Sequence, residues 1–200
     1  MQRRLVIAAL TTLLAVVPVS TASARGGHYV FEGGTARQQA QVHAALETSW
    51  FDWNVVHATV TIHLHPGTDS YATKGDIWID TKLLASGVFA WGPIQHEYGH
   101  QVDFFLLDAA KRAELGAALG AKIWAHDWTK AGMHGPDHST LGAERFASTL
   151  AWAYWQSDAN SLGPTSKNDE SAAMAPGKFR ALLKQMLGVP NPLPPVVIAR

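Results

Sequence analysis

The chain has 200 residues, with 16 basic and 16 acidic side chains, ten histidines, eight tryptophans and no cysteine. That balance excludes the basic surface of a nucleic-acid binder. The missing cysteine excludes disulfides, cysteine zinc sites and a lipid-modified cysteine.

Met1 to Arg4 carries two arginines, Leu5 to Val17 is apolar apart from Thr11 and Thr12, and Pro18 and then Ala22-Ser23-Ala24 follow. Positive, apolar, small-x-small is the order of a secretory signal peptide, expected over residues 1–24 with cleavage after Ala24. The apolar run falls short of the ~20 residues that span a bilayer, so the expectation is a secreted, extracellular protein with no stable membrane insertion. Residues 25–188 are long enough for a single domain with its own core. The tail, residues 189–200, carries four prolines and is expected to form neither regular helix nor central strand.

Gly26 to Gly34 reads as a short N-terminal arm. A helix is expected from Thr35, its N-cap, with apolar or small residues at Ala36, Ala40, Val42, Ala45, Leu46 and Trp50. Ala58 to His65 alternates strictly and stops at Pro66-Gly67, which predicts a strand. His63 and His65 lie opposite Val60, Ile62 and Leu64 and are read as facing solvent, with a metal role as the lesser alternative. After a turn-rich stretch, Gly75-Asp-Ile-Trp-Ile-Asp80 predicts a second strand. A helix from Pro93 to Leu107 follows, since proline favours the first helical turn. Further helices are expected over Asp108–Ala125, Leu141–Gln156 and Gly177–Leu187. The stretch Thr129–Thr140 reads as a loop, and Ser157–Pro176 as a loop or a mobile flap. The fold class is α+β with helices in the majority.

His96-Glu97-Tyr98-Gly99-His100 is the HExxH pattern, placed on the helix expected from Pro93. Helical residues four apart differ by about 40° in direction and ~6 Å in height, so two imidazoles converge on one ion. Tetrahedral zinc takes each nitrogen at ~2.0–2.1 Å. Glu97, turned by about 100° from His96, stands beside the ion rather than on it. There it can act as general base toward a water that the cation has acidified. Asp103 falls on the same helical stripe as both histidines and is expected to orient a ligand imidazole or a neighbouring basic group. The other reading of Asp103 is a local hydrogen-bond acceptor.

A catalytic zinc needs a third protein ligand. The extended metzincin motif would place glycine at 103 and histidine at 106, and Asp103 and Leu106 exclude it. Glu114, Glu144 and Glu170 are the downstream glutamates, with His126, His134 and His138 as competing ligands. Glu144 is favoured, because it opens a helix whose other face is apolar. An acidic residue in a first helical turn is also favourable for helix reasons alone.

HEYGHQVDFF, followed by GAERFAST, resembles the anthrax-lethal-factor-like zinc peptidases, which include secreted bacterial Pro-Pro endopeptidases. The similarity covers Ala72 to Trp155, and the matching positions are His96, Glu97, Gly99, His100, Asp103, Glu144, Phe146 and Ala147. It implies a zincin-like fold, a small mixed sheet beside an active-site helix, with zinc held by His96, His100 and Glu144 in the gluzincin manner. It also implies that Gly75–Asp80 resembles the strand edging the substrate cleft. The group's tyrosine, a few residues before the third-ligand glutamate, is missing, since no tyrosine lies between Tyr98 and Tyr154. In the matching region His138, ahead of His134, is expected to donate the same oxyanion hydrogen bond.

The function expected is therefore a zinc metallopeptidase acting, as a monomer, on a peptide or protein substrate. Two alternatives stand beside it: a zinc-containing binding protein without catalysis that holds a cell-surface partner through its tryptophans, and a zinc hydrolase of a non-peptide amide.

Overall fold

The computed structural model describes residues 25–67, 69–126 and 138–190. The signal peptide expected over residues 1–24, His134 and nearly all of the proline-rich tail lie outside the described residues. Among those described, no helix is long and apolar enough to cross a membrane.

The architecture is α+β, a small mixed sheet of four strands with several helices. Strands β1 (Tyr29–Gly33), β2 (Val60–His65), β3 (Tyr71–Thr73) and β4 (Asp76–Asp80) lie in the order β1-β2-β4-β3. The first three in that order are parallel, and β3 closes the edge antiparallel to β4. Side chains alternate across a strand. Val60, Ile62, Leu64, Ile77 and Ile79 are therefore buried on one face, while His63, His65, Asp76 and Trp78 sit on the other.

Helix α1 (Ala36–Thr48) starts where expected, with Thr35 and Gln38 forming a reciprocal capping box. After a single-turn helix α2 (Thr81–Leu84) comes α3 (Trp91–Leu106), whose Ile94, Tyr98 and Val102 enter the core. Helices α4 (Ala109–Ala118), α5 (Gly142–Tyr154) and α6 (Pro176–Leu187) follow, and α5 contributes Phe146, Leu150, Ala153 and Tyr154 to the same hydrophobic cluster.

Five expectations need correction. The N-terminal arm contains β1, a strand paired along β2 with Tyr29 buried in the core. The turn-rich stretch contains β3, which pairs antiparallel with β4 at the end of the sheet. The helix expected over Asp108–Ala125 stops at Ala118, because Gly120 takes a φ of 65° that ends the helix. The Ser157–Pro176 loop is pinned rather than a free flap: Asn160 is buried, and Glu170–Ala172 forms a 3-10 turn against α5. His63 does not face solvent, since its side chain is 14% exposed between Glu32 and Asp76.

Candidate metal centre

Helix α3 carries His96, Glu97 and His100, and α5 carries Glu144 in its first turn. The two helices approach closely at Gly99: a Cβ there would sit 3.2 Å from the Cα of Ala147 and 3.4 Å from its Cβ. This small-on-small contact brings Glu144 to the histidines. The start of α5 is fixed by the Gly142 N–H donating to the Ile123 carbonyl at 2.7 Å.

Gln101 fixes α3 against the sheet edge. Its Nε2 donates to the carbonyls of Thr73 (2.8 Å) and Asp76 (3.1 Å), and its Oε1 accepts from the Gly75 N–H at 2.9 Å. The β3–β4 turn is thus tied to the residue next to His100. Nothing in the pattern of the helix singles Gln101 out, because its partners lie on another element.

Three atoms converge. His96 Nε2 lies 3.1 Å from His100 Nε2 and 3.1 Å from Glu144 Oε2, and His100 Nε2 lies 3.4 Å from that same oxygen. A tetrahedral ion with bonds of ~2.0–2.1 Å separates its ligand atoms by about 3.3–3.4 Å, so this triangle has the size of one face of a zinc polyhedron. The donor set also fits. A single shared proton cannot satisfy two facing imidazole nitrogens and a carboxylate together, whereas one cation accepts all three lone pairs. The Glu97 carboxylate lies within 4.8 Å of the His96 and His100 ligand atoms.

Electrostatics follow from burial and from this clustering. Burial pushes the Glu97 carboxyl above the ordinary carboxylate range, with the two histidines opposing it. Burial also acts against the charged forms of His96 and Glu144, but their mutual hydrogen bonding prevails. With Glu97 and Glu170 adding to the pull of Glu144, His96 is held up at about 9. Glu144, hydrogen-bonded by His100 and His96, is held well below the carboxylate range.

His138 reaches the site. Its Nε2 lies 3.3 Å from Glu144 Oε2, and its Nδ1 lies 2.6 Å from Glu170 Oε1. The Glu170 hydrogen bond raises its pKa, against the opposing effect of partial burial. Glu170 also accepts from Ser148 Oγ at 2.7 Å, and Ser148 Oγ lies 2.9 Å from His96 Nδ1. A continuous chain therefore runs His96–Ser148–Glu170–His138 behind the three converging atoms. Sequence reasoning gave Ser148 no role. The available signal was its position four residues after Glu144, on the same stripe of α5. Glu170, weighed only as a competing ligand, lies in the outer part of the site.

Asp103 touches neither His96 nor His100. It is fully buried and accepts from Arg112 Nε at 2.7 Å, from Trp124 Nε1 at 2.8 Å and from His126 Nε2. Of its two expected partners, the structure places the neighbouring basic group and not a ligand imidazole. The Trp124 ring in turn packs on Gly142, where a Cβ would meet its Cε3 at 2.6 Å. Asp103 thereby braces the start of α5, two residues before Glu144. His100 Nδ1 is buried with no hydrogen-bond partner among the described residues. Glu114 lies on α4, and His126 is engaged with Asp103 rather than with the three converging atoms. Comparison of the chain with protein-family models, with curated proteins and with solved structures returns no match.

Proposed function

We propose that the chain is a secreted zinc metallopeptidase of zincin-like architecture. The observation that carries this reading is the triangle of His96 Nε2, His100 Nε2 and Glu144 Oε2, with edges of 3.1, 3.1 and 3.4 Å and the Glu97 carboxylate beside it. His96, His100 and Glu144 would hold a zinc ion, which would supply Lewis acidity toward the scissile carbonyl and a bound water. Glu97 takes the proton of the attacking water onto its carboxylate and hands it to the leaving nitrogen. His138, as an imidazolium whose Nδ1–H donates to Glu170, donates a second hydrogen bond from Nε2 to the oxyanion, in the role the missing tyrosine would fill. Ser148 accepts from His96 Nδ1 and so keeps Nε2 as the ligating nitrogen.

The test is a peptide-library cleavage assay with metal analysis. Wild type is expected to cleave, to stop on chelation, and to recover with zinc. Glu97→Gln is expected to bind zinc and to lose turnover by about 10²-fold or more. Retained turnover in Glu97→Gln removes Glu97 from its role. A zinc-loaded wild type that cleaves no peptide supports instead a zinc-containing binding protein or a hydrolase of another amide.

A further inference from the structure

On the outer face of the sheet, remote from α5, we infer a second metal site formed by Glu32, His63 and His65, suited to a divalent transition-metal ion. His63 and His65 stand two apart on β2, so both imidazoles project from one face. Glu32 pairs with His63 in the β1–β2 register and places its carboxylate beside them. One ligand atom from each of the three lies within 4.8 Å of the other two.

His63 is set in place on every side. Its ring stacks on Trp78 with centroids 4.7 Å apart and planes 8° apart, and Trp78 stacks on Tyr71 at 4.6 Å and 8°. Its Nε2 lies 2.9 Å from Asp76 Oδ1, and its Nδ1 lies 3.0 Å from Glu32 Oε2. A neutral imidazole has one N–H to give. With that proton on Nε2 and directed to Asp76, Nδ1 turns a lone pair toward Glu32 and His65. Carboxylate, imidazole and metal in a row is the arrangement by which an outer carboxylate fixes the tautomer of a ligating histidine. A cation between Nδ1, the Glu32 carboxylate and His65 resolves the meeting of lone pairs. Glu32 and His65 are exposed, and His63 is the anchored member of the three. Two imidazoles and one carboxylate favour copper, nickel or zinc over calcium or magnesium, with copper the tightest.

The rival account of the same contacts is an imidazolium bridging two carboxylates, and it predicts no ion uptake. The full chain, preloaded with one equivalent of zinc, is titrated with cupric ion while tryptophan fluorescence is followed, because copper beside the His63–Trp78 stack quenches Trp78. The expected result is a saturable quench that weakens by at least about tenfold in His65→Ala and by about tenfold in Asp76→Asn. Glu32 and His65 are exposed, so Glu32→Gln and His65→Ala are expected to keep the wild-type circular dichroism. Superimposable titration curves for wild type, His65→Ala and Glu32→Gln overturn the proposal. The His65-dependent step is read by difference, so its outcome is independent of whether the centre on α3 and α5 takes zinc.

Discussion

His138 and Ser148 are the residues whose substitution separates chemistry from metal binding. His138 is half-exposed at the rim, and its removal leaves the His96, His100 and Glu144 side chains in place while taking away one contact to Glu144. His138→Ala is therefore expected to lower kcat by about 10²–10³-fold, the cost of one oxyanion donor, with zinc affinity near wild type. Steady-state kinetics beside a chelator competition reads both quantities, and a wild-type kcat would exclude the oxyanion role. Ser148→Ala acts in the opposite sense. It strips the partner from His96 Nδ1, so zinc affinity is expected to fall by about 10–100-fold. A residue-scale reading of the sequence reaches His96, Glu97 and His100, because their relationship is set by the local pitch of one helix. It reaches Glu170 only as a candidate ligand and Gln101 not at all, because their roles come from partners on other elements.

Between elements, the decisive contact is α3 on α5. Gly99→Ala puts a methyl group 3.2 Å from the Ala147 Cα, tighter than ordinary packing allows, and the helices must move apart. The expected cost is about 1–3 kcal/mol in urea denaturation, together with weaker zinc binding as Glu144 withdraws. Asp103 is the second brace. Asp103→Asn sets an amide N–H₂ among the donors of Arg112, Trp124 and His126, and is expected to cost about 3 kcal/mol at pH 7. Burial works against the Asp103 carboxylate, but the hydrogen bonds from His126, Arg112 and Trp124 win and lower its pKa. A depressed folded pKa stabilises above the unfolded value of about 3.9, and that contribution disappears as pH falls through the folded value. The stability gap between wild type and Asp103→Asn should therefore shrink on acidification below about pH 4. A gap constant with pH would deny the carboxylate its part. The elements themselves were unevenly legible. The capping box of α1 and the alternation of β2 are local signals, and both elements appear where expected. Strands β1 and β3 are short, carry no clean alternation, and exist because β2 and β4 offer them hydrogen-bonding edges.

For the molecule as a whole, the sheet and the helices serve to hold two helices in one register. Gln101 ties α3 to the β3–β4 turn, and the Asp103–Trp124–Gly142 contacts tie α4 and the following loop to the start of α5. Metal binding to such a preformed site must stabilise the fold, by about 4 kcal/mol when free zinc is a thousand times its Kd. Thermal denaturation with zinc and with chelator checks this, and an unchanged Tm would mean that the ion is not held by the folded protein. The α+β class was readable from strand and helix periodicities taken together. The closure of the site was not, because it depends on Gly99 meeting Ala147 and on a loop that returns Glu170 to α5. The most direct measurement is the zinc affinity of Glu144→Ala against wild type, by competition with a chromophoric chelator. Loss of the third ligand is predicted to weaken binding by at least about 100-fold, beyond the usual cost of losing an outer partner. An affinity equal to that of wild type would contradict the assignment of Glu144, and with it the two-helix centre.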